Sequence, residues 1–224
     1  MLVCREYDYW SDYDFLLGID EAGRGPWAGP LVAAAVIFPK DFKNIPKDFI
    51  ELLNDSKQLT EKQRNSLFKK IKKYCLAYSV SYYHNDFIDK QGIGNANQLI
   101  VQKLYLNIKR KMNKIDLVLL DYIGGFKNNN FDYKMFAKGD SQFLSIAAAS
   151  VLAKVSRDRW MKKYDKKYPQ YGFAQHKGYG TKKHRQFLEK FGPCSIHRLS
   201  FSPMKEMVQR EEQISLFDQG NKKL

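Results

Sequence analysis

Short apolar runs and longer amphipathic stretches take turns along this chain. Residues 15–19 (FLLGI) and 31–38 (LVAAAVIF) have strand length, and the second, small and β-branched, reads as a buried strand. Between them DEAGRGPWAGP is rich in Gly and Pro and predicts a loop or bulged hairpin. Residues 61–74 set Leu67, Phe68 and Ile71 on one face with lysines opposite, which predicts a helix with Thr60 as N-cap. Residues 76–83 read as a strand and 97–112 as a helix on which Leu99, Leu104 and Ile108 recur. A compact strand at 117–120 (LVLL) ends on Asp121. Residues 145–167 predict a long helix, small and apolar at first and strongly basic later. Thr181 caps a helix running to about Phe191, where Gly192 stops it, and Ser202-Pro203 caps another. After Glu212 the chain turns polar. No internal repeat is present. The pattern predicts an α/β fold: a sheet of about five strands with helices on its faces, plus a helical C-terminal portion.

Composition narrows the class. With 224 residues and 44% hydrophobic side chains, the chain can bury a core without crosslinks. No stretch approaches the roughly 18 apolar residues of a membrane span, and the acidic N-terminus has no apolar signal core. Cys4, Cys75 and Cys194 lie far apart, which argues against a disulfide or zinc framework and for a reducing, cytoplasmic setting. The net charge is +14, and it is concentrated: residues 150–190 hold 12 basic against 3 acidic side chains. Such a run is either a solvated surface or a face for nucleic-acid phosphates. The interleaved Tyr164, Tyr168, Tyr171, Phe173 and Tyr179 favour the second, because rings stack on sugars and bases.

Candidate chemistry sits where acids follow apolar strands. Asp20 and Glu21 follow FLLGI, Asp121 follows LVLL, and Asp140 precedes the long helix. A single acid here reads most simply as a turn or cap residue. Together they can form a hard-oxygen site for Mg²⁺ or Mn²⁺. His84, His176, His184 and His197 form no cluster in sequence and are not expected as ligands.

The motifs are more specific than the spacing. GIDEAGRGPWAGPLVAAAVIF (18–38), DSKQLT (55–60), KGDSQFLSIAAASVLAKVSRDR (138–159), HKGYGTKKH (176–184) and HRLSF (197–201) resemble bacterial ribonuclease HII, in that family's order and spacing. The resemblance covers roughly residues 15–203. It implies a ribonuclease H-like mixed central sheet flanked by helices, with a helical C-terminal extension. In this reading residues 1–14 are a short N-terminal extension, 15–203 the catalytic domain, and 204–224 a helix end and loose tail. It implies a metal-dependent endoribonuclease that cleaves the RNA strand of RNA–DNA hybrids. It also implies cleavage 5′ to single ribonucleotides embedded in duplex DNA, giving 3′-hydroxyl and 5′-phosphate ends. The family's four metal-binding acids match Asp20, Glu21, Asp121 and Asp140, which would hold Mn²⁺ or Mg²⁺ in a two-metal site. The third acid is often followed by Gly in the family, whereas Tyr122 follows it here.

The same resemblance assigns Gly23, Arg24 and Gly25 to reading the 2′-hydroxyl and Tyr179 to packing on the neighbouring deoxyribose. Ser56 and Lys57 would touch a backbone phosphate; a solvated loop is the alternative. Arg157, Asp158 and Arg159 are expected to brace Asp140; positioning the duplex is the alternative. QISLF (213–217) resembles the peptide by which bacterial DNA-processing proteins bind the sliding clamp, through Gln213, Leu216 and Phe217; the alternative is a final helix packed on the body. A monomer is expected. The rivals are a ribonuclease HIII-type enzyme, which the GRGPWAGP loop disfavours, and a non-cutting hybrid-binding module, which four intact acids disfavour.

Overall fold

The computed structural model describes residues 4–54 and 58–209. Five strands form one mixed sheet: β1 (Leu16–Ala22), β2 (Leu31–Ile37), β3 (Ala77–Tyr83), β4 (Leu117–Asp121) and β5 (Tyr133–Phe136). Their order is β3-β2-β1-β4-β5, with β1–β2 and β2–β3 antiparallel and β1–β4 and β4–β5 parallel. The helices are α1 (Lys47–Asn54), α2 (Glu61–Tyr74), α3 (Asn85–Lys109), α4 (Leu144–Lys167), α5 (Phe173–His176) and α6 (Lys182–Phe191). Residues 204–209 are helical as well. Among the described residues no helix is long and apolar enough to cross a membrane.

The strand alternation sorts the core into two layers. Leu16, Ala34 and Val36 face α1, α2 and α4 through Phe49, Leu53, Leu67, Ile71 and Leu152. Leu17, Ile19, Leu31, Ala33 and Ala35 face α3 through Ile100, Leu104 and Ile108. Helix α4 lies against β1 because both surfaces are small. Its SIAAAS segment meets Gly18, where a Cβ would stand 2.3 Å from the Ser145 carbonyl carbon. Any side chain there would push the helix off the sheet.

Several expected elements differ in extent. The first strand continues through Asp20 and Glu21, so both acids are strand residues rather than loop residues. Helix α3 begins at Asn85, not residue 97, because two helical pieces join across Gly92 (φ 75°). Thr60 caps α2 as expected, in a full capping box with Gln63. The pattern did not predict α1 or β5; the burial of β5 alternates only weakly.

The N-terminal residues are packed against the body of the fold. Trp10 is buried against Phe42. Glu6, 1% exposed, accepts hydrogen bonds from the Ser145 amide and hydroxyl at 2.8 and 3.0 Å. The α4 N-cap residue Phe143 has no capping side chain, so Glu6 supplies the missing acceptor from a distant part of the chain. Burial raises its pKa.

Candidate active site

Parallel pairing of Ile19 with Leu120 puts Asp20 and Asp121 side by side at the carboxyl ends of β1 and β4. Open α/β sheets bind ligands at such ends. Alternation then sends Asp20 and Glu21 to opposite faces of β1. Asp20 lies on the α4 side, near Ser150, and accepts a hydrogen bond from the Glu21 amide at 2.7 Å. Glu21 lies on the α3 side near Asn97, with Arg24 at 3.4 Å. Asp121 accepts a 2.8 Å hydrogen bond from the Gly139 amide, which fixes the short 3₁₀ turn Gly139–Ser141 that carries Asp140.

The carboxylates are crowded. Asp20 is 7% exposed, and burial first, then the charges of Glu21 and Asp121, push its pKa up to about 8. Glu21 is raised too, by burial first and Asp121 as well, although Arg24 opposes the shift. Neither polar atom of the buried Asn97 amide completes a hydrogen bond of normal geometry, yet the amide is close enough to favour ionised Glu21. Buried, mutually repelling carboxylates beside an unpaired amide make an all-oxygen donor set, which fits a hard divalent cation. Among the described residues no three Asp, Glu, His or Cys side chains close into a cage. An open site of this kind suits Mg²⁺ or Mn²⁺, which keep waters and substrate phosphate oxygens.

Beside the acids lies the 23–30 loop, and two buried arginines hold it from behind. Arg198 is 0% exposed and donates to the carbonyls of Gly23 (2.6 Å), Arg24 (2.9 Å) and Gly29 (2.9 and 3.1 Å). Arg157, 1% exposed, donates to the carbonyls of Pro30 and Ala28, both at 3.1 Å. Gly23 has φ +99°, and a Cβ there would stand 2.2 Å from the Arg157 side chain, so only glycine fits. Tyr179 is 45% exposed, with its ring 5.7 Å from the same guanidinium. The loop, the tyrosine and the acids therefore share one surface.

The expected bracing of Asp140 by Arg157, Asp158 and Arg159 is corrected here. Arg157 braces the 23–30 loop, Asp158 pairs with Lys154 at 2.9 Å, and Arg159 donates to Asn65 at 3.0 Å. A long basic helix turns these neighbours to different faces. The histidines, which the sequence does not mark as ligands, are placed by the fold. Three of the four, remote in sequence, gather in space: His176 stacks on His184 at 4.2 Å, and His184 meets His197 at 3.1 Å. Ser56, Lys57, Gln213, Leu216 and Phe217 lie outside the described residues.

Sequence reasoning overlooked Asn97, Ser150 and Arg198 as site-shaping residues. Asn97 carried a signal: an amide on the apolar stripe of Ile100, Val101 and Leu104 needs a reason to be there. Arg198 carried none beyond its place in HRLSF.

Comparison with known proteins bears on the family and the fold. The family model described as Ribonuclease HII matches residues 17–204. A relative named Ribonuclease HII, from Endomicrobium trichonymphae, is 48% identical over 191 residues, covering 85% of this chain and 87% of its own length. Among solved structures, the ribonuclease H2 from Pyrococcus horikoshii OT3 superposes with a TM-score of 0.71 at 26% identity, covering 88% of this chain and 98% of that one. Bst-RNase HIII in complex with Mn²⁺ shares the fold, with a TM-score of 0.65 at 14% identity over 89% of this chain and 70% of that one.

Proposed function

The chain belongs to the ribonuclease HII family and acts on the RNA of RNA–DNA hybrids, and on that premise we propose that it cuts by two-metal phosphodiester hydrolysis, including 5′ to single ribonucleotides embedded in DNA. The observation that carries this reading is the convergence of Asp20, Glu21 and Asp121 beside the Gly23–Gly25 loop and Tyr179. Asp20, Glu21, Asp121 and Asp140 would hold the divalent ions. Bound there, Mn²⁺ or Mg²⁺ would polarise the scissile phosphate and activate a water. The Mn²⁺ complex of the HIII relative supports that choice of ions.

The protein's own residues do the positioning. The Glu21 amide holds the Asp20 carboxyl on one face of β1, with Ser150 nearby, and the Gly139 amide fixes Asp121 next to it. A planar trans peptide points its N–H opposite its C=O. Arg198 draws the Gly23 and Arg24 carbonyls inward, so the amides of Arg24 and Gly25 point out toward substrate. Outward amides can meet a 2′-hydroxyl, which both donates and accepts and is what separates RNA from DNA. The exposed Tyr179 ring offers an apolar face to the next sugar. Ser56 and Lys57 would meet a phosphate, and the clamp contact of Gln213, Leu216 and Phe217 rests on the QISLF sequence alone.

The test is Asp20→Asn, assayed with Mg²⁺ and with Mn²⁺ on a hybrid duplex and on a duplex carrying one ribonucleotide. Cleavage should fall by roughly 10³-fold or more while hybrid binding persists, because charge stabilisation of the transition state is lost. Near-normal turnover by folded Asp20→Asn protein would sink the two-metal assignment.

A further inference from the structure

Tyr179 reaches the surface from a loop whose backbone is held from beneath. The Trp27 amide donates to the Gly178 carbonyl at 2.8 Å, and Gly180 lies on the Trp27 ring so closely that a Cβ would stand 2.3 Å from it. The Tyr179 carbonyl meets Nδ1 of His184 at 2.9 Å, and the Gly178 amide donates to Nδ1 of His176 at 3.1 Å. His184 and His197 are 0% and 1% exposed.

The hydrogen bonds assign every ring proton. The Cys194 amide donates to Nδ1 of His197 at 2.9 Å, a shorter contact than the 3.3 Å from that nitrogen to the Cys194 carbonyl, so the proton of that neutral ring is on Nε2. Nε2–H of His197 then donates to Nε2 of His184 at 3.1 Å, which leaves the His184 proton on Nδ1, where it donates to the Tyr179 carbonyl. His176 follows the same logic, accepting at Nδ1 and donating from Nε2 to the Tyr171 carbonyl at 2.7 Å. The cluster is a directional relay and not a metal cage. Cys194 Sγ stands on the Nδ1 side of His197, away from the Nε2 contact, and no metal-holding group of three is found among the described residues.

The far end of the relay is stitched to the other substrate loop. Ala28 bridges His197, the Arg198 amide donates to the Trp27 carbonyl at 2.8 Å, and the Gly29 amide donates to the Ile196 carbonyl at 2.9 Å. Consecutive side chains of one segment thus hold both loops: Arg198 the Gly23–Gly25 turn, and His197, through His184, the Tyr179 turn. We propose that His184 and His197 are positioning residues for junction recognition, whose Nε2–Nε2 hydrogen bond sets the register of Tyr179 against the Gly23–Gly25 loop. This rests on the reading of Tyr179 and Gly23–Gly25 as the groups that meet deoxyribose and ribose.

The test uses the full chain with His197→Asn, in which the shorter side chain can still accept from Cys194 but cannot reach His184. His197→Gln places an amide donor at the Nε2 position and should restore the contact. Each variant is assayed for kcat/KM on a duplex with one ribonucleotide and on a continuous RNA tract, and for amide exchange across residues 176–184. His197→Asn should lower the junction-to-tract ratio by roughly tenfold, since small displacements of positioning groups cost that much or more. It should speed exchange in 176–184 but not in α4, and His197→Gln should recover most of both. If His197→Asn does not fold, His184→Asn cuts the same bond while keeping the donor to Tyr179. Tyr179→Ala is the control that separates the two levels of failure. If it lowers the ratio and His197→Asn does not, or if exchange is unchanged, the positioning proposal is overturned. If Tyr179→Ala itself leaves the ratio unmoved, the reading of Tyr179 falls, and the proposal falls with it.

Discussion

Arg198→Lys keeps the charge under the 23–30 loop and removes only the fork. The guanidinium serves three carbonyls at once, those of Gly23, Arg24 and Gly29, from a position with no solvent exposure. An ammonium on a flexible stem is a point donor and does not span that set. The Arg24 carbonyl is partly exposed and can turn to water, whereas Gly23 and Gly29 are buried. One of those two loses its donor, and the lost packing of the planar group adds to the cost. An orphaned buried acceptor costs about 1–3 kcal/mol, so the whole change should destabilise the fold by about 3 kcal/mol. For a chain of this length that lowers Tm by roughly 6–12 °C. Scanning calorimetry on the full-length protein reads the shift, and Arg198→Met, which strands both buried acceptors, should fall further. Activity on a single embedded ribonucleotide should drop more than activity on a continuous RNA tract, because the loosened turn carries the outward amides. A Tm within about 2 °C of the parent for Arg198→Lys would show that the carbonyls find other donors, and the account of the loop would be wrong.

Two further outcomes follow from burial. Burial pulls the pKa values of His184 and His197 down from 6.5 to about 4, so the folded rings stay neutral where the unfolded chain binds protons. Their stabilisation is therefore complete above pH 6.5 and is lost as pH falls toward 4, by at most about 3 kcal/mol per ring; assigned NMR signals of His184 or His197 that titrate near pH 6.5 in the folded protein would refute this. Gly18→Ala should cost about 3 kcal/mol or more, because the new methyl meets the α4 backbone rather than a side chain that can move. An unchanged urea midpoint would show that α4 can shift without penalty.

What the sequence disclosed, and what it hid, divides by how far apart the partners lie. Thr60 and Gln63 are three residues apart, so the capping box that starts α2 can be read from the string. Asp20 and Asp121 were found as separate strand ends because each acid closes its own apolar run, and parallel pairing of those runs then puts them side by side. The opposite directions of Asp20 and Glu21 follow from strand alternation, yet they stay hidden if the strand is taken to stop at Ile19. Other contacts have no local signature. Glu6 caps α4 across 139 residues, and a lone acid near a terminus looks like solvated charge until its helix arrives. His184 and His197 are 13 residues apart with a helix and a turn between them, so no ligand spacing marks them. Arg157 reads as one more charge on a basic helix, although it is buried and aimed at the carbonyls of a loop 127 residues away. The four candidate acids were legible because the chemistry proposed for them fixes their residue types. The residues that hold them were not, because any donor of the right reach would serve, and only the fold decides which side chain has that reach.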